Sequence, residues 1–166
     1  LSVTIMRNLE RLEGREVHQW VGVEMALSEG TDGGPVIWRD PTIPYLQFDR
    51  LDAIFDDGEA CSILSRLDDG SDYFGVYSPT GTRECLSLEP YQPGSIFKTR
   101  MLAELPVGKV SDLKAKTDES GNVLELSIGI AGSTVRIVSG EIYETWSDAY
   151  KIELIDESLL VQVISR

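Results

Sequence analysis

The stretch Leu124-Glu125-Leu126-Ser127-Ile128-Gly129-Ile130 decides the fold. Leucine or isoleucine recurs at every second position, the period of a β-strand with one face against a core. Glu119-Ser120-Gly121-Asn122 precedes it and Ala131-Gly132-Ser133 follows it. Both segments have turn composition, so the strand is read as the middle member of a meander.

More short strands of the same period flank it on both sides. Val107 to Thr117 leads in, with Leu113 and Ala115 in phase. Val135 and Ile137, then Ile142 and Tyr143, then Ile152 and Leu154, then Leu159, Val161 and Val163 lead out. Upstream, Tyr45 to Phe55, Glu59 to Leu67 and Tyr73 to Tyr77 read as strands separated by Asp56-Asp57-Gly58 and Asp68-Asp69-Gly70-Ser71-Asp72. Asp-Gly between alternating runs is a hairpin signal, because such turns need residues that tolerate positive φ. Pro41 and Pro44 forbid a central strand at that point. Phe97 to Leu105 fits no single period.

Val17 to Leu27 also alternates. Val17, Gln19, Val21, Val23, Met25 and Leu27 are placed on a core-facing side, and His18, Trp20, Gly22, Glu24 and Ala26 on the other. Only the N-terminus breaks the β pattern. Ile5, Leu9 and Leu12 follow helical spacing, so a short helix near 5–13 is expected, ending at Gly14 as its C′ residue. The expected fold is mainly β: an antiparallel β-sandwich or partly open barrel built from meanders, with that helix in front. One β-rich domain covers 1–166, with lobes 1–78 and 95–166 conceivable across the Pro- and Gly-rich segment between them.

The chain carries a formal net charge of −13 and a single histidine, His18, in 166 residues. The histidine count excludes a zinc site with two histidines and leaves His18 alone to serve any Ser–His–Asp or Cys–His arrangement. No phosphate-binding glycine loop occurs. Cys61 is read as a small core residue and Cys85 as more exposed, with no C-x-x-C pair between them. Leu1 to Arg7 holds no basic stretch followed by an apolar run, so reduced thiols and a cytoplasmic location are expected. No apolar run is long enough for a membrane span. No cofactor is expected.

The charge is uneven. Asp49 to Asp72 carries a net −6 and Glu141 to Glu157 a net −5, whereas Lys98 to Lys116 carries +3. Such a field repels phosphate backbones, which excludes nucleic acid, and speeds the capture of basic proteins. The Asp68–Asp72 loop lacks the ligand order of a calcium loop and reads as a solvated turn. The expectation is therefore a non-enzymatic acidic domain that binds a basic protein. Its concrete form is an immunity-type inhibitor that enters the phosphate-binding cleft of a cationic toxin. The first candidate contact set is Asp56, Asp57, Glu59, Asp68, Asp69 and Asp72. The second is Glu144, Trp146, Asp148 and Tyr150, where aromatic rings stand among carboxylates. Two alternatives stand beside it. One is a small-molecule-binding barrel or sandwich with a cavity lined by Trp20, Trp38 and Phe48. The other is an enzyme using carboxylates alone.

Overall fold

The computed structural model describes residues 8–30, 34–67, 74–79, 85–146 and 149–165, with Arg66 and Leu67 described for their backbone only. Among the described residues nine strands form: β1 (Glu16–Met25), β2 (Leu46–Phe55), β3 (Ala60–Leu67), β4 (Phe74–Tyr77), β5 (Phe97–Met101), β6 (Gly108–Thr117), β7 (Val123–Ile130), β8 (Ser133–Glu144) and β9 (Tyr150–Ser165). All pair antiparallel. The pairing runs β2-β9-β8-β7-β6-β1, and β1 returns to β2. Six strands therefore close on themselves, and closure leaves the ring no open edge. The expected mainly β, antiparallel class is found. The ring is closed where a sandwich or a partly open barrel was expected. β3 and β4 extend from β2, β4 also meets β7 at Val76↔Val123, and β5 flanks β1.

Turn chemistry sets the meander as read. Ala131 and Gly132, with φ of +51° and +79°, make a two-residue link between Ile130 and Ser133, the turn whose twist matches antiparallel strands. Gly58, at φ +87°, does the equivalent work between β2 and β3. The Asp68–Asp72 turn lies outside the described residues. So does Thr80 to Glu84, but residues 78–79 and 85–95 contain no strand, as their prolines and glycines indicate.

The core cluster takes Leu51, Ala53, Cys61, Ile63 and Val76 from one side of that segment. Leu102, Val110, Ile128, Ile130, Val135, Ile137 and Leu159 come from the other. Cys61 is fully buried, as expected, and burial pushes its thiol pKa up. Cys85 is half-buried.

Three sequence expectations fail for one reason, the insertion of extra residues into strands. Val17 pairs with Phe55 and Gln19 with Ile54, so His18 is looped out and the phase reverses after it. Trp20, expected on the outer side, is fully buried in the core, where its indole N–H donates to the Pro106 carbonyl at 2.8 Å. Likewise Thr117 pairs with Val123 and Lys116 with Glu125, which ejects Leu124 from the core and puts Val123 in its place. The runs 135–137 and 142–143 join in one long strand, β8. The runs 152–154 and 159–163 join in another, β9, because a four-residue bulge absorbs the break between them.

The predicted helix near 5–13 is a 3-10 helix over Leu9–Leu12, and residues 1–7 lie outside the described residues. Three residues per turn stack Leu9 over Leu12, and both are fully buried in the core. Gly14 follows the C-cap Glu13 at φ +72°, as its reading as C′ requires.

Candidate functional site

The β8–β9 hairpin is the longest in the chain, and its outer half is built differently from its inner half. Next to the ring, Ser133 to Ser139 pairs with Leu159 to Ser165 in simple register. Beyond it, Gly140 pairs with Leu154, so Ile155, Asp156, Glu157 and Ser158 are inserted on one strand only. A Cβ at Gly140 would stand 2.8 Å from the Glu153 carbonyl oxygen and 3.0 Å from Leu160, so only glycine fits beside the bulge. Gly140→Ala should cost about 1–3 kcal/mol in a denaturant titration, through forced backbone movement. A loss of under about 0.5 kcal/mol would show that the bulge yields freely.

The bulge is held from inside. The buried hydroxyls of Ser65 and Ser139, 2.6 Å apart, converge on the Asp156 carbonyl oxygen at 2.7 and 2.9 Å. The Asp156 carboxylate accepts the Tyr143 hydroxyl and the Glu157 N–H, each at 2.8 Å. That bond to Asp156 is the main cause raising the Tyr143 pKa above its ordinary value. Ser158 donates to Glu141 at 2.6 Å. These bonds hold Ile155 at φ +60°, a conformation that costs a β-branched residue about 1–3 kcal/mol.

Beyond the bulge, one face of the arm is anchored. Ile142 and Leu160 cluster with Leu27 and Val138, and Ile43, Tyr45, Tyr150 and Ile152 pack against them. Gln47 fastens this cluster, its side-chain oxygen accepting the Ile142 N–H at 2.7 Å while its amide donates to the Ala26 carbonyl at 3.4 Å. The opposite face, with Tyr143 and Lys151, is exposed. At the tip the Thr145 N–H donates to the Ala149 carbonyl at 2.8 Å, closing the turn. Trp146, inside that turn, is fully exposed.

The second candidate set thus divides clearly. Glu144 and Trp146 are exposed at the tip, Tyr150 is half-buried against the anchoring cluster, and Asp148 lies outside the described residues. Glu144 and Glu157 have no ion-pair partner among the described residues, whereas Glu153 pairs with Lys151 at 2.6 Å.

Two members of the first set, Asp57 and Glu59, are engaged locally. Asp57 lies 2.8 Å and Glu59 3.7 Å from the Arg15 guanidinium, which also covers the Phe55 ring at 4.0 Å. Asp57 also accepts the Glu59 N–H at 2.9 Å, fixing the turn. Asp56 is exposed, and Asp68, Asp69 and Asp72 lie outside the described residues. Asp52, counted within the acidic stretch, is buried and doubly bonded to Arg50 at 2.9 Å.

Two cations of the basic stretch, Lys98 and Arg100, are engaged as well. Glu24 is fully buried at the end of β1, and Arg100 Nε donates to it at 2.7 Å. Lys98 and Arg39 stand 3.7 and 3.8 Å away. Arg100 also makes two bonds of 2.9 Å to Glu104, and this fork holds the Glu104 carboxyl at a pKa of about 2. With the folded value below the ordinary one, Glu104 adds stability above about pH 4.5 that is lost as pH falls towards 2. Glu104→Gln should therefore flatten the acid limb of stability against pH, measured by denaturation between pH 2 and 6. An unchanged limb would remove the fork from the acid response. Sequence reading missed this cluster, because the flipped phase of β1 hides that Glu24 points inward.

His18 is exposed on its bulge, and no group of three or more His, Cys, Asp or Glu side chains is placed to hold a metal among the described residues. Trp20 and Phe48 are packed in the core, while Trp38 lies outside it, edge-on to Tyr91 and under Lys98. No helix among the described residues is long and apolar enough to cross a membrane. Comparison with protein-family models, with curated proteins and with solved structures gives no match.

Proposed function

We propose that this protein is a non-enzymatic recognition domain for a basic protein, and that the outer half of the β8–β9 hairpin makes the central contact. The observation that carries this reading is Trp146, a fully exposed tryptophan on a turn closed by its own hydrogen bonds, beside the exposed Glu144. A large ring held out in water is a cost that binding removes, and tryptophan among carboxylates suits lysine and arginine. The net charge of −13 supports it through steering. The strained and internally braced bulge supports it too, since a fixed arm loses little entropy on binding. An immunity-type inhibitor of a cationic toxin is the concrete form of this function. The turn holding Asp56, Asp57 and Glu59 serves as a secondary contact, weakened by Arg15.

The test is differential capture from the native host. Tagged full-length chain and a Glu144→Lys/Trp146→Ala variant are used as baits at low and high salt. The reading expects a basic protein retained by the wild type at low salt, released at high salt and absent from the variant. Identical sets on both baits, or retention only of acidic proteins, would contradict it.

A further inference from the structure

Where β7 meets the β9 bulge, an open cavity of about 200 Å³ lies outside the ring. Its apolar lining is Leu124, Val138, Leu154 and Ile155. Each is there for a local reason. Leu124 is ejected by the β7 bulge, and Val138 points outward because Val135 and Ile137 face the core. Leu154 and Ile155 sit at the start of the β9 bulge, 60% and 46% exposed. The size matters, because an apolar cavity of about 150 Å³ admits benzene. This one is large enough for a phenyl ring or a short alkyl chain.

The charged lining is cationic. Lys116 and Arg136 share one carboxylate, Glu125. Arg136 holds Glu125 Oε1 at 2.6 and 2.8 Å, while Lys116 stands 3.5 Å from Oε2 and is 75% exposed. The local balance is +1 in a chain of −13. A cationic ligand would meet two positive groups that share a single carboxylate, whereas an anionic one would meet a net positive rim. We infer that this cavity binds an aryl or short-alkyl monocarboxylate, with its tail on Leu124, Val138, Leu154 and Ile155 and its carboxylate accepting hydrogen bonds from Lys116. The inference does not rest on the arm's role towards a protein partner, although Leu154 and Ile155 belong to the bulge at the arm's base.

The probes are 4-phenylbutyrate and its neutral analogue 4-phenylbutan-1-ol, titrated into ¹⁵N-labelled full-length chain. The acid should shift the amides of Leu124, Val138 and Ile155 saturably, with a dissociation constant on the order of 1 mM, as ligand size dictates. The alcohol should bind about 5-fold more weakly. Lys116→Ala should bring the acid down to the alcohol's affinity and leave the alcohol unchanged, whereas Leu154→Ser should weaken both. Both side chains are largely exposed, so an unchanged Tm shows that the variants fold. Three results would overturn the inference: equal affinity for acid and alcohol, no saturable shift at these amides up to about 20 mM, or shifts centred elsewhere.

Discussion

Arg100→Met should destabilise the fold by about 3–5 kcal/mol, because it leaves Glu24 buried without its closest counter-charge. The remaining cations do not compensate, since Lys98 and Arg39 stand 3.7 and 3.8 Å from the carboxylate and one of its oxygens already lacks a hydrogen-bond partner. The loss is electrostatic and not one of packing. Glu24→Leu combined with Arg100→Met should therefore recover most of it, as apolar replacements of buried ion pairs usually do. Urea denaturation of the two single variants and the double variant measures the coupling directly. A single-variant loss under about 1 kcal/mol would mean that Glu24 is solvated and that the cluster does not tie β5 to β1.

The second large effect concerns the arm. Trp146→Ala should weaken a partner complex by about 30-fold or more, the loss expected of a tryptophan hot spot at about 2 kcal/mol. The change should lie in the dissociation rate, because the ring acts after contact. Glu144→Lys should act mainly on the association rate and reduce its dependence on salt. Charge reversal at Asp56 should slow association less than Glu144→Lys does, since Arg15 already offsets that turn. Surface plasmon resonance at several salt concentrations separates the two rates. Equal rates for Trp146→Ala and wild type would remove the tip from the interface.

Much of the scaffold is written plainly in the residues. Period two over 124–130, the turn glycines and the prolines at 41 and 44 specify antiparallel strands and where they cannot run. What they do not specify is the inserted residues. A bulge changes which side chains face inward without changing composition, so Val17 and Trp20 share the core although they stand an odd three positions apart. Leu124 and Val123 exchange places for the same reason. Ring closure depends on long-range pairing, such as β2 with β9, which no local pattern records.

The candidate site was legible only in part. Glu144, Trp146 and Tyr150 stand out as rings among acids, but their separation into exposed tip and packed anchor depends on Gln47 and Ile142. Gly140, inside the strand between Ser139 and Glu141, is the one local sign of the bulge beside it. The pairing of Asp57 and Glu59 with Arg15 bridges more than forty positions and was not readable.

The most direct test is amide hydrogen exchange on the full-length chain, free and bound to the partner recovered by differential capture. Slowed exchange should concentrate in residues 141–157, with a smaller effect at 56–59. Slowing confined to β1 and β5, or spread evenly over the ring with none in the arm, would contradict recognition through the β8–β9 hairpin.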